Sequence, residues 1–256
     1  MKETLDREIY FTPKQAAEYF NLSLSTIKNY IYAGKLKTLK TPGGHHRIRR
    51  RELLATLGDM SLCKEDADSL SLMKDLCATV LSAFKALGPI GNSLTMHARK
   101  VAAMSFKLAM AMDIDEPESR HIEMAALVHD IGLIGIEKRI LSKAGVLTPK
   151  EYESVKAHPA KGQEMLVSIN QLRDIVDIVA QHHERIDGSG YPKGLNRERI
   201  KKGARIISIA EAYDSMVSPY SYKRPVPRNM AIAELMQQKD AQFDGDIVEL
   251  FIDTIN

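Results

Sequence analysis

The chain has 256 residues, 36 Lys+Arg against 33 Asp+Glu, 44% hydrophobic and 27% charged side chains, a composition that excludes a disordered or fibrous protein. Its formal charge of +3 is uneven: residues 1–60 hold eleven basic and six acidic side chains, or +5, and the other 196 hold twenty-five and twenty-seven, or −2. A basic head on a slightly acidic body points to a polyanion as the head's partner. No apolar run reaches the ~20 residues that span a bilayer, so no membrane partner is expected. The charged start MKETLDREIY is no secretory signal. Cys63 and Cys77 lack CxxC spacing, so both read as reduced thiols of a cytoplasmic protein.

Thr12 caps a first helix that begins at Pro13 and carries Ala16, Ala17, Tyr19 and Phe20 at helical spacing. Asn21 to Ser23 form a turn, and Ser23 or Ser25 caps a second helix over 26–33, stopped by Gly34. Two short strands over 35–39 and 45–48 flank Thr41-Pro42-Gly43-Gly44 as a hairpin, and a closing helix is expected near 50–57. Polar residues 58–65 mark a boundary. Beyond it, an amphipathic helix sets Leu70, Met73, Leu76, Cys77, Val80, Leu81, Phe84 and Leu87 on one stripe. That stripe either packs on the second domain or forms a dimer seam. Gly88-Pro89 and Gly91-Asn92 end the helix. Further helices are expected at about 94–112, 117–129, 149–156, 159–168, 171–183, 203–217, 228–239 and 246–255. The expected fold class is mainly α: a helix–turn–helix head over 1–58, a linker with its amphipathic helix over 59–92, and an all-α bundle over 93–256.

A helix–turn–helix lays its second helix in the major groove while neighbouring cations hold the phosphates. The candidate DNA contacts are Thr26, Lys28, Asn29 and Tyr30 on that helix, with Lys37, Lys40, His45, His46 and Arg47 on the hairpin. Binding through so many cations is salt-sensitive. The stretches TPKQAAEYF, STIKNYIYAGKL and KTPGGHHRIRRREL resemble the MerR/excisionase-type winged helix–turn–helix over about residues 9–57. The resemblance implies double-stranded DNA as a partner, met by a homodimer on two half-sites. His46 stands where arginine is usual.

In the body, His129-Asp130 ends one apolar helix and His182-His183-Glu184 another, and six of the eight histidines lie beyond residue 90. Buried polar pairs of this kind cost several kcal/mol unless partnered, and imidazole with carboxylate is a donor set for transition metals. The segments TMHARKV, LVHDIG, AHPAKG, HHERIDGSGYP and IISIAEAYDSM, with QFD further on, resemble the HD-GYP branch of the HD phosphohydrolase superfamily over about residues 70–254. The resemblance implies an HD-type helical bundle that degrades cyclic di-GMP at a centre of iron or manganese. It implies His97, His129, Asp130, His158, His182, His183 and Glu211 as metal ligands, with Asp130 bridging two metals and a hydroxide between them attacking phosphorus in line. Gly188, Gly190, Tyr191 and Pro192 would shape the substrate pocket, the glycines by allowing close approach and Tyr191 by stacking, and Lys223 would supply a cation.

The chain departs from that pattern at four places. Leu133 stands where the family's lysine neutralises phosphate. Ser93 replaces the glutamate of three-metal members, which leaves two divalent transition metals. Glu211 replaces an aspartate, and Tyr220 an arginine. His121 matches no ligand position. Three functions stay open on the residues: a metal-dependent cyclic di-GMP phosphodiesterase tied to DNA, a regulator that senses cyclic di-GMP or a related nucleotide with little turnover, and a regulator whose body is only a dimerisation scaffold. Leu133 and Tyr220 favour the second, and the seven ligands argue against the third.

Overall fold

A computed structural model describes residues 10–19, 24–41, 43–49, 52–53, 56, 72–143, 145–219 and 224–255. They fall into two compact units, residues 1–69 and 70–256.

In the first unit β1 (Tyr10–Phe11), α1 (Pro13–Tyr19), α2 (Leu24–Tyr32), β2 (Leu39–Lys40) and β3 (His46–Arg49) follow in order. Thr12 Oγ1 accepts the Gln15 N–H at 3.1 Å and the Gln15 side-chain oxygen accepts the Thr12 N–H at 2.9 Å, which closes the start of α1 reciprocally. Gly34, at φ 72°, turns the chain out of α2, and the N–H groups of Lys35 and Leu36 then donate to the Tyr30 carbonyl. Those two residues close the helix, so the first hairpin strand begins at Leu39, later than expected. The sheet has the order β1-β3-β2, both pairs antiparallel; β1, at two residues, is too short to leave an alternating pattern. Ala16, Ala17, Ile27, Leu36, Ile48 and Leu53 form its core. The turn at Asn21 to Ser23, the boundary at 58–65, Cys63 and most of the closing helix lie outside the described residues.

The second unit holds α3 (72–83), α4 (Pro89–Ala111), α5 (Glu116–Val128), α6 (Lys138–Leu141), α7 (Pro149–Lys156), α8 (His158–Leu166), α9 (Arg173–Gln181), α10 (Lys202–Val217), α11 (Arg228–Gln237) and α12 (Gly245–Ile255). The protein is mainly α. Met73, Cys77, Leu81 and Phe84 are buried in the same core as α4, α5, α9, α10 and α12. Met73, Leu81 and Phe84 each gain about 1.5–3 kcal/mol on burial, so these residues of the α3 stripe are satisfied by their own unit. Burial pushes the Cys77 thiol up to about 12, far from thiolate reactivity. Gly91-Asn92 does not break the chain as expected: α4 starts at Pro89 and runs through both residues, with Gly91 lying where a Cβ would meet the Phe84 carbonyl oxygen at 1.7 Å. No described helix is long and apolar enough to cross a membrane.

Candidate metal centre and nucleic-acid interface

Five helices deliver the seven expected ligands to one place. His97 projects from α4, which packs against both α5 and α10. His129 and Asp130 follow the last turn of α5, His158 opens α8, His182 and His183 follow the last turn of α9, and Glu211 lies on α10. Their ligand atoms form three overlapping groups, each within 4.8 Å: His97, His129 and Glu211; His129, Asp130 and His182; and His158, His182 and His183. His121, on α5, belongs to none of them. The turn from Ile131 to Gly135 crosses the start of α8 so closely that a Cβ on Gly132 would meet the His158 carbonyl oxygen at 2.0 Å. The glycine after His-Asp-Ile therefore lets Asp130 and His158 approach.

The ends of the helices also fix the rings. The last carbonyls of a helix have no partner within it. His129 Nδ1 meets the Ala126 carbonyl at 2.7 Å, His158 Nδ1 the Val155 carbonyl at 2.8 Å, and His182 Nδ1 the Val179 carbonyl at 2.6 Å, each three residues back. His97 Nδ1 meets Asp214 Oδ2 at 2.7 Å. A carbonyl only accepts, so the rings of His129, His158 and His182 carry a hydrogen on Nδ1, and where such a ring is neutral its Nε2 turns a lone pair inward.

Two of those lone pairs collide. His158 Nε2 and His182 Nε2 lie 3.0 Å apart. A proton between them would relieve the contact, but burial pushes both rings below the ordinary imidazole value, His182 well below, with His183 adding to its depression. Burial likewise drives His183 to about 3. Burial opposes charge on His129 too, yet the Asp130 carboxylate outweighs it and holds the ring at about 9. Asp130 is itself buried, which favours its neutral form, but His129, with His158 and His97 behind it, keeps it well below the carboxylate range. Burial raises Glu211 to about 7, and Asp130 adds to that. The buried His129 Nε2 has no hydrogen-bond partner, although Asp130 Oδ2 lies 3.3 Å away. The neutral lone pairs of His158 and His182 and the Asp130 and Glu211 carboxylates fit a bound divalent cation, which would replace the proton that Asp130 holds on His129.

The HD domain family matches residues 91–247, more than half of the chain, and a helix-turn-helix domain matches residues 10–58. The chain belongs to the HD-domain family. It is 39% identical over 158 residues to a cyclic di-GMP phosphodiesterase of Thermotoga maritima, covering 61% of this chain and 43% of that one. It is 33% identical over 150 residues to 3'3'-cGAMP-specific phosphodiesterase 3 of Vibrio cholerae, covering 59% and 33%. The chain thus spans less than half the length of either relative. Among solved structures, Bd1817, an HDG"Y"P protein from Bdellovibrio bacteriovorus, superposes with a TM-score of 0.56 at 22% identity, over 77% of this chain and 64% of that one. That likeness shows the fold.

Around the cluster, the HD domain uses residues that sequence reasoning left without a role. Asp214, one turn from Glu211 on α10, is buried, receives His97 and lies 3.6 Å from the Lys100 ammonium. Lys100, one turn from His97, also donates to Ser218 Oγ at 3.0 Å. The i,i+3 spacings His97/Lys100 and Glu211/Asp214 are the sequence signal that could have found the pair. Glu184 accepts the N–H groups of Lys193 and Leu195 at 2.7 and 2.8 Å and so ties down the loop through Tyr191. The close approach expected of the loop glycines is made to the chain itself: a Cβ on Gly190 would meet the Arg185 nitrogen at 2.3 Å. Gly188 supplies a left-handed turn at φ 78°. Tyr191, followed by Pro192, lies with its ring 4.9 Å from the His183 ring, tilted by 30°. Leu133 is 7% exposed and packs with Ile136 and Ile140, beside Leu94 and Val155. Lys223 and Tyr220 lie outside the described residues.

On the head, Lys28 and Asn29 of α2 are exposed, as are Lys37, Lys40 and His45, while Thr26 and Arg47 are half-buried. Tyr30 packs partly on the head's core, with Lys35 Nζ 5.6 Å from its ring centre. Strand alternation puts Arg47 and Arg49 on one face of β3 and His46 with buried Ile48 on the other. His46 accordingly turns inward, with Nδ1 2.7 Å from Thr38 Oγ1 and its ring edge-on to Tyr32.

Proposed function

We propose that the HD domain binds two divalent transition metals, iron or manganese, and hydrolyses a phosphodiester of cyclic di-GMP. The helix–turn–helix head, as part of a homodimer, would hold this activity on double-stranded DNA and link the second messenger to transcription. The observation that carries the reading is the pair of inward lone pairs 3.0 Å apart on His158 and His182, with the Asp130 carboxylate 3.2 Å from His158. His97, His129 and Glu211 would hold one ion and His158, His182 and His183 the other, with Asp130 between. Such ions acidify water and neutralise phosphate oxygens. The chain's own part is to keep His158, His182 and His183 neutral by burial, to aim His129, His158 and His182 by their Nδ1 bonds, to hold His97 through Asp214, and to pin the loop bearing Tyr191 through Glu184. Relatives named for cyclic di-GMP and for 3'3'-cGAMP support a cyclic dinucleotide as the substrate class.

Leu133 favours a second reading, a nucleotide-binding regulator with little turnover. A buried apolar side chain there cannot neutralise phosphate, and a lost transition-state cation costs orders of magnitude in rate. One experiment separates the two. Full-length protein purified without oxygen is assayed for metal content and, on the same sample, for product from cyclic di-GMP and from 3'3'-cGAMP. The enzyme reading expects about two ions per chain, a linear product, and loss of both in Asp130→Ala. Saturable nucleotide binding without product in metal-replete protein refutes it in favour of the regulator.

A further inference from the structure

Lys156 ends α7, two residues before His158, and its neighbour Val155 holds the His158 ring by its carbonyl. Its ammonium lies 5.3 Å from the centre of the Tyr191 ring and 5.8 Å from that of Tyr152. Tyr191 in turn lies against His183. The order from the metal cluster outward is therefore His183, Tyr191, Lys156. The ionic partner of Lys156 is Glu153 Oε1 at 3.1 Å; the glutamate side chain is 67% exposed and the lysine only 29%. A solvated i,i+3 pair holds a cation weakly, and a ring face adds about 0.5–2 kcal/mol. Lys156 is thus a half-buried charge at the rim of the cluster with modest compensation. Lys100, the cation on the His97 side, differs: it sits between buried Asp214 and Ser218.

A cyclic dinucleotide carries two phosphodiesters. In the function proposed above, on which this inference rests, one of them lies on the metals. The other keeps its full charge and must be met by the protein. Leu133 cannot meet it, because its side chain is committed to the cluster with Ile136 and Ile140. We propose that Lys156 binds the phosphodiester that is not being cleaved, so that it sets affinity for the cyclic dinucleotide. Tyr191 carries the ammonium at a fixed height over His183, and the incoming phosphate displaces the exposed Glu153 carboxylate.

The test is calorimetric titration of cyclic di-GMP in its hydrolysis-resistant phosphorothioate form into the full-length protein loaded with manganese, for the wild type, Lys156→Met and Lys156→Arg. The methionine keeps the apolar stem over the tyrosines and removes the charge. Lys156→Met is expected to weaken binding about tenfold or more, the loss of one charge-assisted hydrogen bond, and Lys156→Arg to stay within about threefold of wild type. Manganese content should be the same in all three. Wild-type affinity in Lys156→Met overturns the proposal, and so does an equal loss in both variants or a loss that follows manganese content, since each means a structural role. A wild-type protein that carries manganese and binds no cyclic di-GMP refutes the substrate reading itself, a result distinct from binding that ignores Lys156.

Discussion

Replacing Asp214 by Asn tests how the outer hydrogen bonds build the metal site. Asp214 Oδ2 lies 2.7 Å from His97 Nδ1, and the carboxylate is buried. The asparagine keeps the shape and can still accept the Nδ1–H, but removes the charge that makes His97 a stronger donor. Loss of such a partner typically weakens metal affinity 10–100-fold, or about 1.4–2.7 kcal/mol. The substitution also takes a partner from Lys100, at 3.6 Å and 41% exposed, a pair worth about 1 kcal/mol or less. Metal affinity should therefore fall by more than apo-protein stability does. Manganese affinity is read by competition with a chelating dye, and folding by thermal melts in excess chelator. Wild-type affinity in Asp214→Asn refutes the claim that Asp214 tunes the site. A variant that unfolds in chelator, with a melting point lowered as far as that of a core deletion, refutes the division of energy between metal and fold.

Metal binding should also stabilise the second unit and do so in a pH-dependent way. At free manganese 100 times its Kd the gain is about 2.7 kcal/mol, or about 5–10 °C in Tm, and Asp130→Ala should show no such shift in scanning fluorimetry. Glu211 is held at about 7 by burial beside Asp130, and a ligand must be ionised. Below that pH the metal has to displace that proton, and below about 9 the proton on His129 as well, so affinity should rise as pH rises through both values; a flat affinity between pH 6 and 9 contradicts this. For the head, affinity for duplex DNA should fall steeply with salt, and Arg47→Ala should weaken it and reduce the salt slope by about one. An electrophoretic titration that is insensitive to salt excludes phosphate contact as its basis.

Two segments of the candidate site were legible from local signals, while His97, His158 and Glu211 came from the family resemblance. His129-Asp130 and His182-His183 each sit at the end of an apolar helical run, and the same helix ends supply the carbonyls at Ala126 and Val179 that orient the rings. Helix existence was likewise readable from period and capping residues: Thr148 and Glu151 form the box that starts α7 where expected. The legible part stops where two distant segments meet. His97 and Asp214 are 117 residues apart, and only the packing of α4 on α10 shows that one holds the other. Gly91-Asn92 read as a break, yet the approach of the Phe84 carbonyl makes that glycine part of α4.

By itself, the sequence determined the two-part division of charge and the mainly helical class, because each depends on residue type and short spacing; the candidate ligand set came from the resemblance to the HD-GYP branch. The tertiary structure decided which way side chains face. It turned His46 toward Thr38 and away from Arg47, buried Leu133 among isoleucines, and set Lys156 over the ring that covers His183. The physical reason is that a buried polar atom must find its partner across the fold, and no local pattern specifies which distant helix provides it. The +3 of the whole chain therefore says little about its anionic partners. The head can meet phosphate with an excess of lysine and arginine, whereas the centre of the body gathers imidazoles and carboxylates, to which bound cations would add the positive charge.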